Sequence, residues 1–248
     1  MTVDVAGAAA ELQAADDILI LTHRRPDGDT TGCAGALCRA LRQIGKTAYI
    51  LENPEITRRY APLIVPCYPP EGFVPRYVVS TDIAEEKLFP DPAEQYKGKV
   101  DLVIDHHGSN IGFGHKNLIR PDAGGCAEVL YDVINALGAK FTTDIAECIY
   151  VGVSTDTGCF KYSNTTAHSH AVAAACLTAG IDGGEINRAL FETKTMPRFQ
   201  MERVVFDTME FYENGAIAVA MLWRADIDYA GADMDDLDSI ASLTRQIE

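Results

Sequence analysis

Short apolar runs alternate along this chain with longer stretches in which apolar residues recur every three or four positions. The short runs predict buried strands, and the longer repeats predict amphipathic helices. The predicted strands are Asp17–Thr22, Thr47–Leu51, Tyr77–Thr81 and Leu102–Asp105. The predicted helices are Thr30–Ile44, Gly125–Leu137, Asp144–Thr155, Thr166–Ala179, Gly184–Phe191 and Pro197–Tyr212. This alternation predicts an α/β fold with a mainly parallel sheet flanked by helices, followed by a helix-rich second half.

The pattern changes after Glu213. Residues Ala216–Trp223 form a strand pattern. The acidic segment Asp226–Asp238, interpreted as a solvated linker and helix start, leads into a further helix. One strand and one helix cannot bury a core of their own. We therefore expect a second α/β domain to begin here and to be truncated in this chain. The predicted division is a main domain at 1–195, a connecting helix at 196–213, and the incomplete second domain at 214–248.

Composition narrows the classes of function. The 248 residues carry a formal net charge of −15, which disfavours binding of long nucleic acids but permits a small anionic substrate. No run approaches the roughly 18 apolar residues of a membrane span, and the N-terminus lacks a signal-peptide pattern. We expect a cytoplasmic protein without a membrane partner, with a homodimer left open. The seven cysteines contain no Cys-x-x-Cys pair and are interpreted as small buried side chains.

The first candidate chemical motif is His23-Arg-Arg-Pro-Asp27-Gly-Asp29, which follows the first predicted strand. In open α/β sheets, ligands bind at the carboxyl ends of the strands. One imidazole and two carboxylates on a tight turn can direct several donor atoms to one point, and Mn²⁺ accepts that mixture of ligands. An ordinary turn with a helix-capping aspartate is the alternative interpretation of this motif alone.

Three further acidic motifs each follow an apolar element. Asp82 ends the third strand, Asp105-His106-His107 ends the fourth, and Asp156 ends a helix. Two divalent cations close together need bridging and terminal anionic ligands. The four motifs together therefore predict a site for two divalent metal ions. Asp105 could bind no metal itself and instead orient a ligand histidine by a hydrogen bond.

These motifs resemble those of the DHH phosphoesterases, the superfamily of RecJ exonucleases, nanoRNase/pAp phosphatases and family II pyrophosphatases. The motifs occur in the family's order between residues 23 and 160. The fourth motif, from Asp156-Thr-Gly-Cys-Phe160 to Thr165-Thr166, is most similar to that of the nanoRNase/pAp phosphatase branch. The resemblance also implies that residues 214–248 begin a DHH-associated substrate-binding domain, whose Gly-Gly-His segment does not occur in this chain.

The resemblance implies a ligand set drawn from all four motifs. These ligands are His23 and Asp27 for one Mn²⁺, Asp29 and His106 for the other, and Asp82 and Asp156 bridging or completing both. Mg²⁺ or Co²⁺ in place of Mn²⁺ stays open.

The resemblance further implies how catalysis would proceed. His107 matches the family position that faces the substrate phosphate, and Asp105 matches the carboxylate behind the ligands. The implied nucleophile is a metal-bridging water or hydroxide, so no covalent enzyme intermediate is needed. Arg24 and Arg25, which lie between two predicted ligands, are candidate contacts for a substrate phosphate.

The expected function is that of a Mn²⁺-dependent phosphoesterase. It would release 5′ mononucleotides from short oligoribonucleotides, dephosphorylate 3′-phosphoadenosine 5′-phosphate (pAp), or both. Two alternatives stay open. One is a family II inorganic pyrophosphatase, and the other is an inactive metal-binding remnant that lacks the substrate domain.

Overall fold

A five-stranded sheet, parallel throughout, forms the centre of the N-terminal part of the chain. The computed structural model describes residues 1–237 and 240–247. It divides into two units, Met1–Phe191 and Glu192–Glu248. The strands are β1 Ile18–Leu21, β2 Ala48–Ile50, β3 Tyr77–Thr81, β4 Leu102–Asp105 and β5 Lys116–Ile119. Their order in the sheet is β2-β1-β3-β4-β5. The α/β class and the parallel sheet flanked by helices are thus confirmed.

Seven helices accompany the sheet in the first unit. They are α1 Val5–Ala14, α2 Gly28–Gln43, α3 Ala61–Ile64, α4 Cys126–Leu137, α5 Thr143–Asp156, α6 Ala167–Thr178 and α7 Gly183–Asn187. The last continues as a π-helical turn, Arg188–Glu192. The two faces of the sheet have separate cores, because successive strand residues point to opposite sides. In β1, Ile18 and Ile20 join the core formed with the helices, whereas Leu19 and Leu21 join the other core.

The close packing of α2 against α5 brings their functional ends together. A Cβ at Gly32 in α2 would lie 2.3 Å from the carbonyl oxygen of Cys148 in α5. A contact this short leaves no room for any side chain, so glycine sets the separation of the two helices. The packing places the N-terminus of α2, which carries Asp27 and Asp29, near the C-terminus of α5, which carries Asp156.

The sequence pattern missed the short helix α3 and two further elements of the first unit. One is α1, which is rich in alanine and whose N-terminus is capped by the Asp4 side chain. The other is edge strand β5, in which the polar residues Lys116 and Asn117 interrupt the apolar pattern. Its Asn117 N–H donates to the carbonyl oxygen of Met1, so the N-terminus of the chain contributes to this edge.

The second unit comprises α8 Met196–Asp207, β6 Glu210–Tyr212, β7 Ile217–Val219, α9 Arg224–Ala230, α10 Met234–Leu237 and a 3₁₀ turn at Ile240–Gln246. The prediction of one helix over Pro197–Tyr212 was wrong at its end. Helix α8 ends at Asp207, and β6 pairs antiparallel with β7 across a turn in which Asn214 has φ +56°. Aromatic Phe211 and Tyr212 favour a strand.

The acidic segment, interpreted as a solvated linker and helix start, overlaps most of α9 and includes α10. Its last residue, Asp238, lies outside the described residues. The strand predicted over Ala216–Trp223 is limited to the three residues of β7. The interpretation of 214–248 as the beginning of a substrate-binding domain stays a prediction.

The burial of the cysteines agrees with the sequence interpretation. All of them except the partly exposed Cys159 are buried, and all seven are free thiols. In the part of the chain that the structure describes, the helices are too short or too polar for a bilayer-spanning segment.

The close approach of α2 and α5 can be tested with Gly32→Ala. The added methyl group must separate the two helices, and we expect the free energy of unfolding to fall by about 1–3 kcal/mol. Exposed Gly184 in α7 is the matched control, because an added Cβ there meets only ordinary contacts. Gly184→Ala should be neutral or stabilising by up to about 1 kcal/mol. Equal stability of the two variants in urea unfolding followed by circular dichroism would contradict this account.

Candidate metal centre

The predicted ligands meet at the carboxyl edge of the sheet. His23 follows β1, Asp82 follows β3, and Asp105 is the last residue of β4, directly before His106. The carboxyl ends of neighbouring parallel strands lie side by side, which is why ligands bind at this edge in open α/β folds. Asp29 reaches the same place from the first turn of α2.

Asp82 lies at the middle of the cluster. Its Oδ2 is 3.9 Å from Nε2 of His23, and its Oδ1 is 3.6 Å from Nε2 of His106. The side chain is 3% exposed, and Oδ1 accepts no hydrogen bond from the described residues. Its backbone has φ +58°, a conformation that costs about 1–3 kcal/mol in a residue other than glycine. The two oxygens face different histidines, as a carboxylate that bridges two cations requires.

Asp29 joins three helices at one carboxylate. Its Oδ2 accepts the N–H of Cys126 at 2.6 Å, and its Oδ1 accepts the N–H of Ala127 at 2.9 Å. These amides belong to the first turn of α4, where free N–H groups and the helix dipole favour an anion. In α5, a Cβ at Gly152 would lie 2.8 Å from Asp29 Oδ1, so only glycine leaves room for this carboxylate.

Backbone carbonyl oxygens orient the candidate ligand histidines through hydrogen bonds from Nδ1. His23 Nδ1 lies 2.7 Å from the carbonyl oxygen of Arg24, and His106 Nδ1 lies 3.3 Å from that of Ala123. A carbonyl oxygen only accepts, so each Nδ1 must carry the proton and each Nε2 keeps its lone pair. Both Nε2 atoms face the carboxylates. Metal-ligating histidines are commonly oriented by such a hydrogen bond on the other ring nitrogen.

Three overlapping groups of side chains have donor atoms close enough to share a cation. They are His23, Asp27 and Asp82; Asp29, His106 and Asp156; and Asp82, His106 and His107. Within them, His106 Nε2 lies 4.0 Å from Asp29 Oδ2 and 3.7 Å from Asp156 Oδ2. Two ligand atoms, each about 2.1 Å from one ion, lie roughly 3–4 Å apart. These separations are too long for hydrogen bonds but fit shared coordination.

Asp105 acts on His107 rather than facing the shared donor atoms. Its Oδ1 lies 2.8 Å from His107 Nδ1 and accepts the His106 N–H, while its Oδ2 accepts from Asn110 Nδ2 at 2.6 Å. Burial raises the pKa of Asp105, but the hydrogen bonds from His107 and Asn110 outweigh it, and the net pKa is lowered. The hydrogen bond to Asp105 raises the pKa of His107. The hydrogen bond from Nδ1 to Asp105 therefore fixes the orientation of the His107 ring.

The crowded carboxylates need positive charge to ionise together. Burial, and then the charge of Asp29, raises the pKa of Asp82 well above its usual value, and the same two causes raise the pKa of Asp156 to about 7. Burial likewise raises the pKa of Asp29. With Asp27, these side chains carry four negative charges when ionised, which two divalent cations would balance. The donor set and its electrostatics thus fit a two-metal site.

The candidate substrate arginines have other contacts. Arg24 Nη1 lies 3.4 Å from the carbonyl oxygen of Lys87. Arg25 has an exposed side chain, with Nε 4.0 Å from Glu55 Oε2. The structure thus brings together around shared donor atoms the side chains of His23, Asp27, Asp29, Asp82, His106, His107 and Asp156. The contacts of the two guanidinium groups described above are with Lys87 and Glu55. Their role toward a substrate stays a prediction.

Sequence reasoning did not find the groups that hold the ligands in place. Asn110 and the amides of Cys126 and Ala127 were not anticipated. The position of Gly124 and Gly125 before α4 was the one available signal, because a glycine-rich turn at a helix N-terminus can expose backbone N–H groups to an anion.

The fold and the site define a class: an α/β domain with a candidate two-metal centre at its strand ends. Residues 17–153 match the DHH family, N-terminal domain. The bifunctional oligoribonuclease and PAP phosphatase NrnA of Thermus thermophilus is 33% identical over 234 residues, which cover 93% of this chain and 69% of that protein. The chain therefore belongs to the DHH family, and the resemblance stated from the motifs is confirmed.

The chain is also similar to a second curated protein and to a solved structure. A probable manganese-dependent inorganic pyrophosphatase of Streptococcus mutans is 27% identical over 85% of this chain and 72% of its own length. The crystal structure of an exopolyphosphatase-related protein from Bacteroides fragilis has a TM-score of 0.84 at 20% identity, covering 98% of this chain and 76% of that one. The latter similarity concerns the fold. Family membership and the curated relatives support the expectation of a hydrolase.

Asp82→Asn tests the central carboxylate. Loss of the charge should weaken Mn²⁺ binding by at least about 100-fold, since a carboxylate facing both histidine groups is removed. The metal-free Asp82→Asn protein should be no less stable than the metal-free wild type, because burial without a cation already disfavours the ionised form of Asp82. Mn²⁺ titration calorimetry and thermal unfolding measure the two effects. Exposed Asp122 provides the control, Asp122→Asn, which should change neither. Unchanged Mn²⁺ affinity in Asp82→Asn would refute the bridging arrangement.

Proton release should accompany metal binding. The raised pKa values of Asp29, Asp82 and Asp156 mean that the metal-free centre holds protons near neutral pH, and a cation must displace them. We expect Mn²⁺ affinity to fall as the pH is lowered through about 7, the pKa of Asp156. Calorimetry in two buffers of different ionisation enthalpy measures the protons released. A binding enthalpy that does not depend on the buffer would contradict the prediction.

Proposed function

We propose that this chain is a Mn²⁺-dependent phosphoesterase that releases 5′ mononucleotides from short oligoribonucleotides and dephosphorylates pAp. The observation that carries the proposal is the arrangement of Asp82, whose two oxygens face His23 and His106. The similarity to the oligoribonuclease and PAP phosphatase NrnA supports this choice of substrates.

The chain supplies a separate set of donors for each cation. His23 and Asp27 would hold one ion, Asp29, His106 and Asp156 would hold the other, and Asp82 would contribute one oxygen to each. Two divalent cations bound there would polarise a phosphoryl oxygen and stabilise the negative charge that develops during ester hydrolysis.

His107 is suited to act on the substrate phosphate. Its Nδ1 is held by Asp105, so Nε2 is the ring nitrogen that would face a substrate. The raised pKa of His107 increases the imidazolium fraction near neutral pH, and an imidazolium donates to an anionic phosphoryl oxygen or to a departing alkoxide. Asn110 keeps Asp105 in place, which fixes the direction of this donor.

The charge of the chain favours a small substrate. A net charge of −15 repels a long polyanion, whereas a dinucleotide or pAp presents few phosphates, which bound cations can compensate. The two Mn²⁺ ions would thus attract the reacting phosphate, while the rest of the surface disfavours extended RNA.

A family II inorganic pyrophosphatase is the second candidate function. The similarity to the probable manganese-dependent pyrophosphatase of Streptococcus mutans favours it, since the same donor set would serve a phosphoanhydride. The identity is higher to the oligoribonuclease, 33% against 27%, so we place the pyrophosphatase second.

The substrate can be identified with three compounds: 5′-phosphorylated diadenylate, pAp and pyrophosphate. With Mn²⁺ we expect AMP from the first two and little phosphate from the third, and EDTA should abolish both reactions. Faster hydrolysis of pyrophosphate would favour the second candidate. Bound Mn²⁺ without hydrolysis of any of the three would favour the inactive remnant.

His107→Ala separates the proposed substrate contact from metal binding. We expect a decrease in turnover of about 100- to 10,000-fold, typical of a lost proton donor, with two Mn²⁺ ions still bound. The control is His115→Ala, which alters an exposed histidine whose contact is Asp101, 3.4 Å away. The control should retain wild-type turnover. Near-wild-type activity of His107→Ala would rule out the proposed role.

A further inference from the structure

The amide of Asn164 links two parts of the candidate metal centre. Its Nδ2 lies 2.7 Å from the carbonyl oxygen of Gly124, 3.1 Å from that of Asp156, and 3.3 Å from Asp156 Oδ2. The NH₂ group has two hydrogens and is surrounded by these three oxygens. The C-terminus of α5 is thereby connected to the turn before α4.

That turn controls the position of Asp29. Gly124 and Gly125 lead directly into α4, whose first amides, of Cys126 and Ala127, donate to the Asp29 carboxylate. A shift of the turn would move these two amides. The Asp29 carboxylate is buried and accepts hydrogen bonds from both, so its position would change with them. Asn164 therefore holds Asp156 directly and Asp29 through the turn.

A buried glutamate supports the same turn from the other side. Glu128 Oε1 accepts the Gly124 N–H at 3.1 Å and a short hydrogen bond from the Ser169 hydroxyl. Ser169 also forms the capping box of α6 with Thr166, two residues after Asn164. Gly124 is thus held at its carbonyl by Asn164 and at its amide by Glu128. Among the side chains in this set of hydrogen bonds, Asn164 is the one that contacts a candidate metal ligand, Asp156.

We propose that Asn164 is a positioning residue that sets the separation of Asp29 and Asp156 around His106. The inference rests on the proposed metal centre, and it identifies a residue that would affect the affinity for one of its two cations. The other donor group, His23, Asp27 and Asp82, comes from the ends of β1 and β3 and the cap of α2. Loss of the Asn164 amide should therefore weaken one metal site much more than the other.

Asn164→Ala tests the proposal, with Asn187→Ala as a matched control. Asn187 also donates through Nδ2 to a residue of α5, the Tyr150 hydroxyl at 2.9 Å, but it has no contact with the candidate ligands in the described structure. We expect affinity for one of two Mn²⁺ ions to fall about 10- to 100-fold in Asn164→Ala, typical for loss of a group that orients a ligand. The second affinity should change less than about threefold, and the control should bind both ions normally.

Mn²⁺ titration, by calorimetry and by electron paramagnetic resonance, provides the readout, and activity is not needed. Circular dichroism of the metal-free variants shows whether each one folds. If Asn164→Ala does not unfold cooperatively, Asn164→Ser, which keeps one donor in a small side chain, is titrated by the same criterion.

Two outcomes would overturn the positioning role: unchanged affinity at both sites, or equal weakening at both. The proposed function is tested separately, by the hydrolysis assay. A wild-type protein that binds two Mn²⁺ ions but hydrolyses neither the diadenylate nor pAp would refute that function, while the titration still decides the role of Asn164.

Discussion

The concentration of buried carboxylates at one edge of the sheet is the constraint on which the rest of the site depends. Asp29 and Asp82 are almost fully buried, and burial together with the charge of Asp29 raises the pKa of Asp82. The surrounding groups partly compensate this charge. The amides of Cys126 and Ala127 at the start of α4 donate to the Asp29 carboxylate. Divalent cations bound there would complete the compensation, so the charges that oppose a metal-free site would favour a metal-bound one.

The fold holds these charges in place through contacts that allow little adjustment. Glycine at position 32 lets α2 approach α5, and glycine at position 152 makes room for the Asp29 carboxylate. Parallel strands bring the residues that follow β1, β3 and β4 to one edge. The site is assembled from three strand ends and three helix ends, so the position of each candidate ligand depends on an element that is packed elsewhere. Placement by packed elements is the arrangement that preorganised catalysis requires.

Local sequence pattern predicted most of the first unit because its elements are strongly apolar. Strand β4 begins and ends where the pattern places it, and α2, α4, α5 and α6 differ from prediction by one or two residues. The pattern did not predict the elements whose formation depends on tertiary contacts. Strand β5 is stabilised by pairing with β4 despite Lys116 and Asn117, and the hairpin of β6 and β7 replaces the end of a predicted helix. Pairing energy of this kind has no signature within a short window of sequence.

The sequence by itself determined which donors this protein has and that each follows a strand or ends a helix. Histidines and aspartates at four such positions are an uncommon chemical pattern, so a metal centre could be predicted without coordinates. Only the tertiary structure decided which oxygen of Asp82 faces which histidine and that Asp105 supports His107. It alone also revealed Asn110 and Asn164. Asparagine amides and backbone N–H groups occur throughout any chain, and their role depends on distances between residues far apart in sequence.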